Sequence, residues 1–95
     1  METKSGIISA DYKAEGGKLL RVRLEVVENV IQSIKITGDF FMHPEEAIEE
    51  LEQGLTLVEW SAPAVRGRVQ EFFNSGVEVV GAGVEDFVTV ITRAR

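Results

Sequence analysis

Apolar and polar residues alternate along three consecutive stretches within residues 7–37. The clearest stretch runs from Leu19 to Val27, where the even-numbered positions are Leu or Val and the interior odd-numbered positions are Arg or Glu. Because successive side chains of a strand point to opposite faces, this alternation predicts a strand with one buried and one hydrated face. Similar patterns predict strands over Ile7 to Lys13 and over Val30 to Thr37. Short turns join the three stretches, so we expect an antiparallel meander.

The pattern changes to helical spacing after the third strand. His43-Pro44-Glu45-Glu46 combines a proline, which suits the first helical position, with acids that complement the positive end of the helix dipole. We therefore expect a helix to open at this stretch and to stop at Gly54, because glycine favours helix C-termini. The apolar residues at helical spacing are Ala47, Ile48, Leu51 and Leu55.

Two further helices are predicted in the C-terminal half. Ser61-Ala62-Pro63 starts the first of them, and Gly67 inside it costs about 1 kcal/mol relative to Ala, so this helix depends on packing. Its expected buried stripe is Val65, Val69, Phe72 and Phe73. Val84 to Ala94 shows the spacing of a third helix, although the β-branched run Val88 to Thr92 argues against one. Val77 to Val80, between these helices, fits a strand or a loop.

These elements predict an α+β fold with a three-stranded antiparallel sheet and about three helices packed on one face, in two layers. A chain of 95 residues that is 44% apolar suits a single domain over residues 1–95. The absence of cysteine excludes disulfides, thiolate metal sites and a cysteine nucleophile. The first residues lack the apolar core of a signal peptide, and no apolar run approaches transmembrane length, so we expect a cytoplasmic protein.

The net charge of −6 is concentrated in the middle of the chain. Residues 1–38 carry six basic and five acidic side chains, residues 39–60 carry seven acidic and no basic ones, and residues 61–95 carry four of each. Such a segment repels a phosphate backbone, so we expect neither nucleic acid nor a membrane as a partner. The acidic helix face either steers a basic protein surface towards the chain or is a plain solvated surface.

Three motifs together resemble the C-terminal accessory domain of lipoate–protein ligases. They are a Gly16-Gly17 turn inside Tyr12 to Val22, the corner Gly38-Asp39-Phe40-Phe41, and the helical stretch Pro44 to Leu55. The likeness covers residues 10–55 in detail and the later helices in outline. A free chain of this length is similar to the small subunit of a bipartite, archaeal-type ligase.

The resemblance implies a part in ATP-dependent chemistry. In this family lipoate is activated to lipoyl-adenylate, and the lipoyl group then passes to a lysine of an acceptor domain. The catalytic subunit binds ATP, Mg²⁺ and lipoate, whereas the accessory domain binds no cofactor alone and is needed for activation. The resemblance therefore implies a non-catalytic subunit that forms a heterodimer with the catalytic one and serves lipoyl-acceptor domains indirectly.

The corner at Gly38 is the first candidate site. If the strand continues beyond it, the alternation places Phe40 inward and Phe41 outward beside Asp39. An exposed phenylalanine next to polar groups is a typical interface anchor. The alternative is that the chain turns at Gly38 and both rings enter the core.

The double-glycine turn is the second candidate. Glycines let a backbone approach a ligand closely, and Lys13 and Lys18 flank the pair, yet the frame of a phosphate-binding P-loop is missing. From the residues alone a plain hairpin is favoured; the resemblance implies a loop that packs near the nucleotide site of the catalytic domain. Arg21, on the hydrated face, either contacts the partner or only solubilises the sheet. The candidate partner-binding residues are Lys13, Gly16, Gly17, Lys18, Arg21, Gly38, Asp39 and Phe41, with no catalytic and no metal-binding residue.

Two rival functions stay open at this point. One is a general protein-interaction module unrelated to lipoylation. The other is a small self-sufficient enzyme that uses Asp39 and His43 as an acid–base pair, although the sequence offers it no nucleophile. The simpler interpretation of His43, the single histidine, is a helix cap or a surface residue.

Overall fold

The computed structural model describes residues 5–14 and 18–93. Three strands form an antiparallel sheet in the order β1-β2-β3: β1 spans Ser5–Lys13, β2 spans Leu19–Val27 and β3 spans Val30–Gly38. The predicted meander is therefore confirmed. β2 lies in the centre of the sheet and pairs with both neighbours along its whole length.

The alternation of β2 translates directly into burial. Leu20, Val22 and Leu24 are buried, whereas Arg21 and Arg23 on the opposite face are exposed. Hydrophobic burial therefore fixes the register, because a slip by one residue would exchange the two faces.

The turn from β2 to β3 uses two residues in the left-handed region. Glu28 and Asn29 have φ values of 51° and 66°. Two positive φ angles in a two-residue loop match the twist of the flanking strands. The register shifts next to this turn, between Glu25 and Val26. The shift brings Ile31 into the buried face beside the regular inward residues of β3.

The predicted α+β class and its three helices are confirmed. α1 spans Ala47–Leu55, α2 spans Ala62–Phe73 and α3 spans Val84–Thr92. α1 and α3 pack directly on the apolar face of the sheet, α1 against β3 and α3 against β1 and β2, while α2 lies mainly against α3. Of the described residues, none forms a helix with the length and apolar content needed to cross a bilayer.

The start of α1 differs from the prediction. The helix opens at Ala47 rather than at His43, because Phe41–His43 forms a further strand, β4. The peptide bond between His43 and Pro44 is cis. Gly54 does not stop the helix; it lies inside it, and the helix ends at Leu55. The chain turns instead at Leu57, with φ of 68°, whose N–H donates to the carbonyl of Ile31 at 2.7 Å.

Glu78–Val80 forms a fifth strand, β5, which pairs antiparallel with β4. The stretch that fitted a strand or a loop is thus a strand. The resulting two-stranded sheet, called the ribbon below, was not predicted. Neither of its strands has more than three residues, and their pairing depends on a contact distant in sequence.

The predicted starts of α2 and α3 are confirmed. Ser61 caps α2, where its Oγ accepts from the N–H of Ala64 at 3.4 Å, and Pro63 lies in the first turn. At α3, Asp86 Oδ2 accepts from the N–H of Gly83 at 2.8 Å. Burial of Val88, and of the later apolar residues of α3, outweighs the low helix propensity of β-branched side chains. The predicted end of α3 at residue 94 lies outside the described residues.

Candidate functional site

The two stretches singled out in the sequence meet at one end of the three-stranded sheet. The β1–β2 connection closes there, with the N–H of Ala14 donating to the carbonyl of Lys18 at 2.6 Å. β3 ends beside it, where Gly38 pairs with Leu20 and the N–H of Asp39 donates to the carbonyl of Leu19 at 2.9 Å. Gly16 and Gly17 lie outside the described residues.

Gly38 is required by this close contact between backbones. A Cβ atom at position 38 would collide with the carbonyl oxygen of Leu19 and would lie 3.1 Å from the Cα of Leu20. Its φ of 157° marks the point where β3 ends and the chain leaves the sheet. The glycine therefore holds the corner against β2, which is a structural reason for its place in the motif.

The two phenylalanines of the corner point in opposite directions, as predicted. Phe40 is half-buried and packs edge-to-face on Phe87, with ring centroids 5.4 Å apart. Phe41 is 78% exposed, and Asp39 is exposed as well. The geometry arises differently from the expected continuous strand, since β3 stops at Gly38 and Phe41 opens β4 in the other sheet. The alternative, with both rings in the core, is wrong.

The ribbon places a second apolar side chain beside Phe41. Phe41 lies directly opposite Val80, which is 64% exposed. On the other face of the ribbon, Met42 is buried and Val79 opposite it is half-buried. The outward pair Phe41 and Val80 is called the ribbon patch below. Val80 was missed as a candidate, because only the pairing of β4 with β5 brings it to the corner.

An open groove of about 400 Å³ lies next to the ribbon patch, between the end of β3, β4 and the start of α1. Among the described residues that line it, Glu45 alone is charged. Its apolar lining consists of Ile36, Phe40, Phe41, Met42 and Ile48. Glu45 forms no ion pair with any described residue. Ile48 and Glu45 were predicted as parts of a helix, not of a site.

The basic candidates lie on the same end of the molecule but differ in environment. Lys13, Lys18 and Arg21 are exposed. The Nε of Arg21 donates to Oδ1 of Asp11 across the strand pair at 2.9 Å. Lys13 and Lys18 form no ion pair within the described part of the chain. Within the described residues, the two lysines are thus unpaired cations at the end of the sheet that carries the corner.

The acid–base pair of the self-sufficient enzyme does not form. No hydrogen bond or ion pair joins Asp39 to His43, which lies in β4 opposite Glu78. Over residues 5–14 and 18–93 no group of three or more His, Asp or Glu side chains is placed to hold a metal ion. No polar or charged residue of this part of the chain is buried. A polar catalytic centre shielded from water is therefore not found there.

An exposed ion pair between α2 and α3 shifts the pKa of both of its members. The guanidinium of Arg66 donates to both carboxylate oxygens of Glu85 at 2.8 Å. These hydrogen bonds lower the pKa of Glu85 and raise the pKa of Arg66. Because the pair faces solvent and no groove residue contacts it, the shifts reflect a structural link between the helices.

The fold and the corner define a small α+β domain with an exposed apolar ribbon and, in its described residues, no clustered catalytic chemistry. Residues 6–91 match the family described as the C-terminus of bacterial lipoate protein ligase. The chain belongs to this family. The match extends beyond residues 10–55 and includes the three helices.

Two comparisons with known proteins agree with this assignment. The chain is 39% identical to lipoate-protein ligase A subunit 2 of Thermoplasma acidophilum over 83 residues, which are 87% of this chain and 85% of the relative. It also resembles a chain in a solved structure of a bipartite lipoate protein ligase and its E2 lipoyl domain from the same organism. That likeness has a TM-score of 0.81 and 35% sequence identity, and it covers 93% of this chain and 97% of the other.

Proposed function

We propose that this chain is the non-catalytic small subunit of a bipartite lipoate–protein ligase. It forms a heterodimer with the catalytic subunit and is required for ATP-dependent activation of lipoate to lipoyl-adenylate. The observation that carries the proposal is the match to lipoate-protein ligase A subunit 2 of Thermoplasma acidophilum, which covers 87% of this chain and 85% of the relative. The same observation favours this function over a general interaction module, because the matched family and relatives are lipoate protein ligases.

The contribution of the subunit is positioning rather than chemistry. ATP, Mg²⁺ and lipoate are held by the catalytic subunit, and this chain orders the closed geometry in which the adenylate forms. Holding reactants in a productive arrangement lowers a barrier by several kcal/mol without any added catalytic group. The complex works in the cytoplasm, where ATP is supplied.

The docking region in this proposal is the corner end of the sheet. Its residues are the predicted candidates Lys13, Gly16, Gly17, Lys18, Arg21, Gly38, Asp39 and Phe41. Support comes from the placement of those candidates that the structure describes: the hydrogen bond from the N–H of Asp39 to the carbonyl of Leu19 sets the corner beside the β1–β2 hairpin. Gly38 acts through the backbone, since it shapes the corner, whereas Phe41 and the two lysines offer side chains to a partner.

A reconstitution experiment tests the function. The catalytic subunit is assayed for lipoyl-adenylate formation, followed as pyrophosphate release, with and without this chain. We expect adenylate formation to require both chains and lipoyl transfer from preformed adenylate to require the catalytic subunit alone. Equal rates of adenylate formation in the presence and absence of this chain would refute the proposed function. Lipoylation by this chain alone would point to the self-sufficient enzyme instead.

A further inference from the structure

We propose that the groove beside Phe41 is a socket for an apolar side chain of the catalytic subunit, and that a Lys or Arg next to that side chain pairs with Glu45. The ribbon patch, Phe41 and Val80, forms the raised half of the same contact. This inference rests on the proposed function and adds which surface docks and the chemistry of the partner surface that it accepts.

The fold leaves apolar side chains of the ribbon exposed to solvent. The inward residues of the ribbon already anchor it, since Met42 is buried and Val79 is half-buried. Phe41 and Val80 are not needed for that anchoring, yet they lie side by side facing solvent. A rigid aromatic side chain on a regular strand loses little conformational entropy when it is buried, which favours it as a binding anchor.

The surface beside this anchor is concave. The groove is open to solvent and is bounded on one side by Phe41 itself. Its floor is fixed by core residues, because Ile36 and Met42 are both buried. A raised ring next to a preformed apolar hollow accepts a partner surface of the opposite shape, with one side chain entering the groove while Phe41 enters the partner.

The charge of the groove also indicates which partner surface it accepts. No Lys or Arg occurs between Lys35 and Arg66, or again between Arg68 and Arg93, so the segments that build the groove and the ribbon contain neither residue, and His43 is their single histidine. Glu45 lines the apolar groove without an ion-pair partner among the described residues. A cation supplied by the docking protein would compensate this carboxylate. The complementary partner is therefore apolar at its centre and basic at the rim.

Calorimetric titration of the catalytic subunit with three variants tests the socket. We expect Phe41→Ala to weaken binding about 30-fold, as loss of a hot-spot side chain does. Thr37→Phe, which places a ring at the edge of the groove from an exposed strand position, should weaken binding about tenfold. Glu45→Lys should weaken binding by a similar factor at low ionic strength and by less at high ionic strength.

Each variant has a control with a comparable change elsewhere on the protein. Ile7→Ala removes an apolar side chain that is 63% exposed on the hydrated face of the sheet. Ser33→Phe adds a ring on the same strand as Thr37, and Glu49→Lys reverses a charge on α1 outside the groove. We expect these three controls to bind like the wild type. Circular dichroism spectra confirm that every variant is folded.

The outcomes separate this inference from the proposed function. If the wild type forms no complex with the catalytic subunit, the proposed function fails. If the wild type binds and supports adenylate formation but all three variants bind equally well, only the socket is wrong. Weakening by the controls to the same extent would also overturn the socket. A dimer of this chain alone that Phe41→Ala abolishes, seen by sedimentation, would show that a second copy occupies the patch.

Discussion

The three-stranded sheet and the ribbon follow the same alternation of side chains, but they place their apolar residues differently. In the sheet, the apolar residues of β2 face the helices and the outward positions are charged. In the ribbon, Met42 and Val79 face the core, while Phe41 and Val80 face solvent. The sheet has one apolar face, as a self-sufficient antiparallel sheet requires, whereas the ribbon has an apolar inner face and an exposed apolar pair beside His43 and Glu78 on its outer face.

This difference separates the apolar residues that stabilise the fold from those that stay available to a partner. The strands of the sheet have nine residues each and hold the core. The strands of the ribbon have three residues each, and a two-stranded sheet of this size depends on the body beneath it. Burial within the subunit explains the inner face of the ribbon, whereas the outer face is the surface that we propose for docking of a second protein.

The largest effect is expected from a pair of phenylalanines with opposite environments. Phe87 is fully buried, so Phe87→Ala should lower the free energy of unfolding by about 3–5 kcal/mol through lost burial and a cavity. Phe41→Ala should change it by less than about 0.5 kcal/mol, because the ring is exposed. Denaturant unfolding followed by circular dichroism measures both. A loss of stability in Phe41→Ala as large as in Phe87→Ala would contradict the distinction between the two regions.

The second prediction concerns the junction between the regions. Gly38→Ala should lower stability by about 1–3 kcal/mol, because the added Cβ meets the carbonyl of Leu19 and forces β2 and the corner apart. Gly67→Ala is the matched control: the position is exposed within α2, with no neighbouring atom within 4 Å of an added Cβ.

The control should stabilise the protein by about 0.5–1 kcal/mol, since alanine is the better helix former. Thermal unfolding gives both values with the sign of each change. Equal behaviour of the two substitutions would show that the corner tolerates a side chain and that the close approach of the strands is not a constraint.

The smallest effect is expected at Arg66 and Glu85, which contribute to neither apolar face. The pKa of Glu85 is lower in the folded chain than in the unfolded one, because Arg66 donates to its carboxylate. The pair therefore stabilises the fold above the unfolded pKa, and this contribution is lost as the pH falls through the folded pKa of Glu85. The effect is small because both groups face solvent.

The measurement compares unfolding of the wild type and Glu85→Gln from neutral to strongly acidic pH. We expect a slightly less stable variant at neutral pH and convergence of the two curves in acid. In an Arg66→Gln background the Glu85→Gln change should lose most of this pH dependence. A difference that grows as the pH falls would have the wrong sign and would exclude the ion pair as its cause.

The sequence predicted the sheet well because its information is local. In β2 every second residue is apolar, so period, faces and ends could all be obtained from Leu19 to Val27 alone. The cap of α2 was equally local, since Ser61 lies a few residues from the N–H that it accepts from. The ends of α1 were predicted wrongly because tertiary contacts compete with local propensity. Pairing with Glu78 keeps His43 extended, and the helix continues through Gly54 to Leu55.

The candidate site was predictable only in part for the same reason. The outward position of Phe41 followed from the alternation, and the resemblance indicated the corner. Val80 could not be found, because its place beside Phe41 depends on pairing between β4 and β5. The groove required three elements to meet, and no local pattern marks Glu45 as part of it. The partner-binding roles of the lysines and the double glycine stay predictions.

The single tryptophan gives this molecule an internal spectroscopic reporter. Trp60 is buried, its N–H donates to the carbonyl of Asn29 before β3, and its indole N–H donates to the carbonyl of Ile91 at the end of α3. The corner lies at the other end of β3, roughly 27 Å away for a strand of nine residues. Indole fluorescence should therefore change when the helical layer unfolds and stay unchanged when a partner covers the ribbon. One optical signal then distinguishes an unfolded subunit from an undocked one.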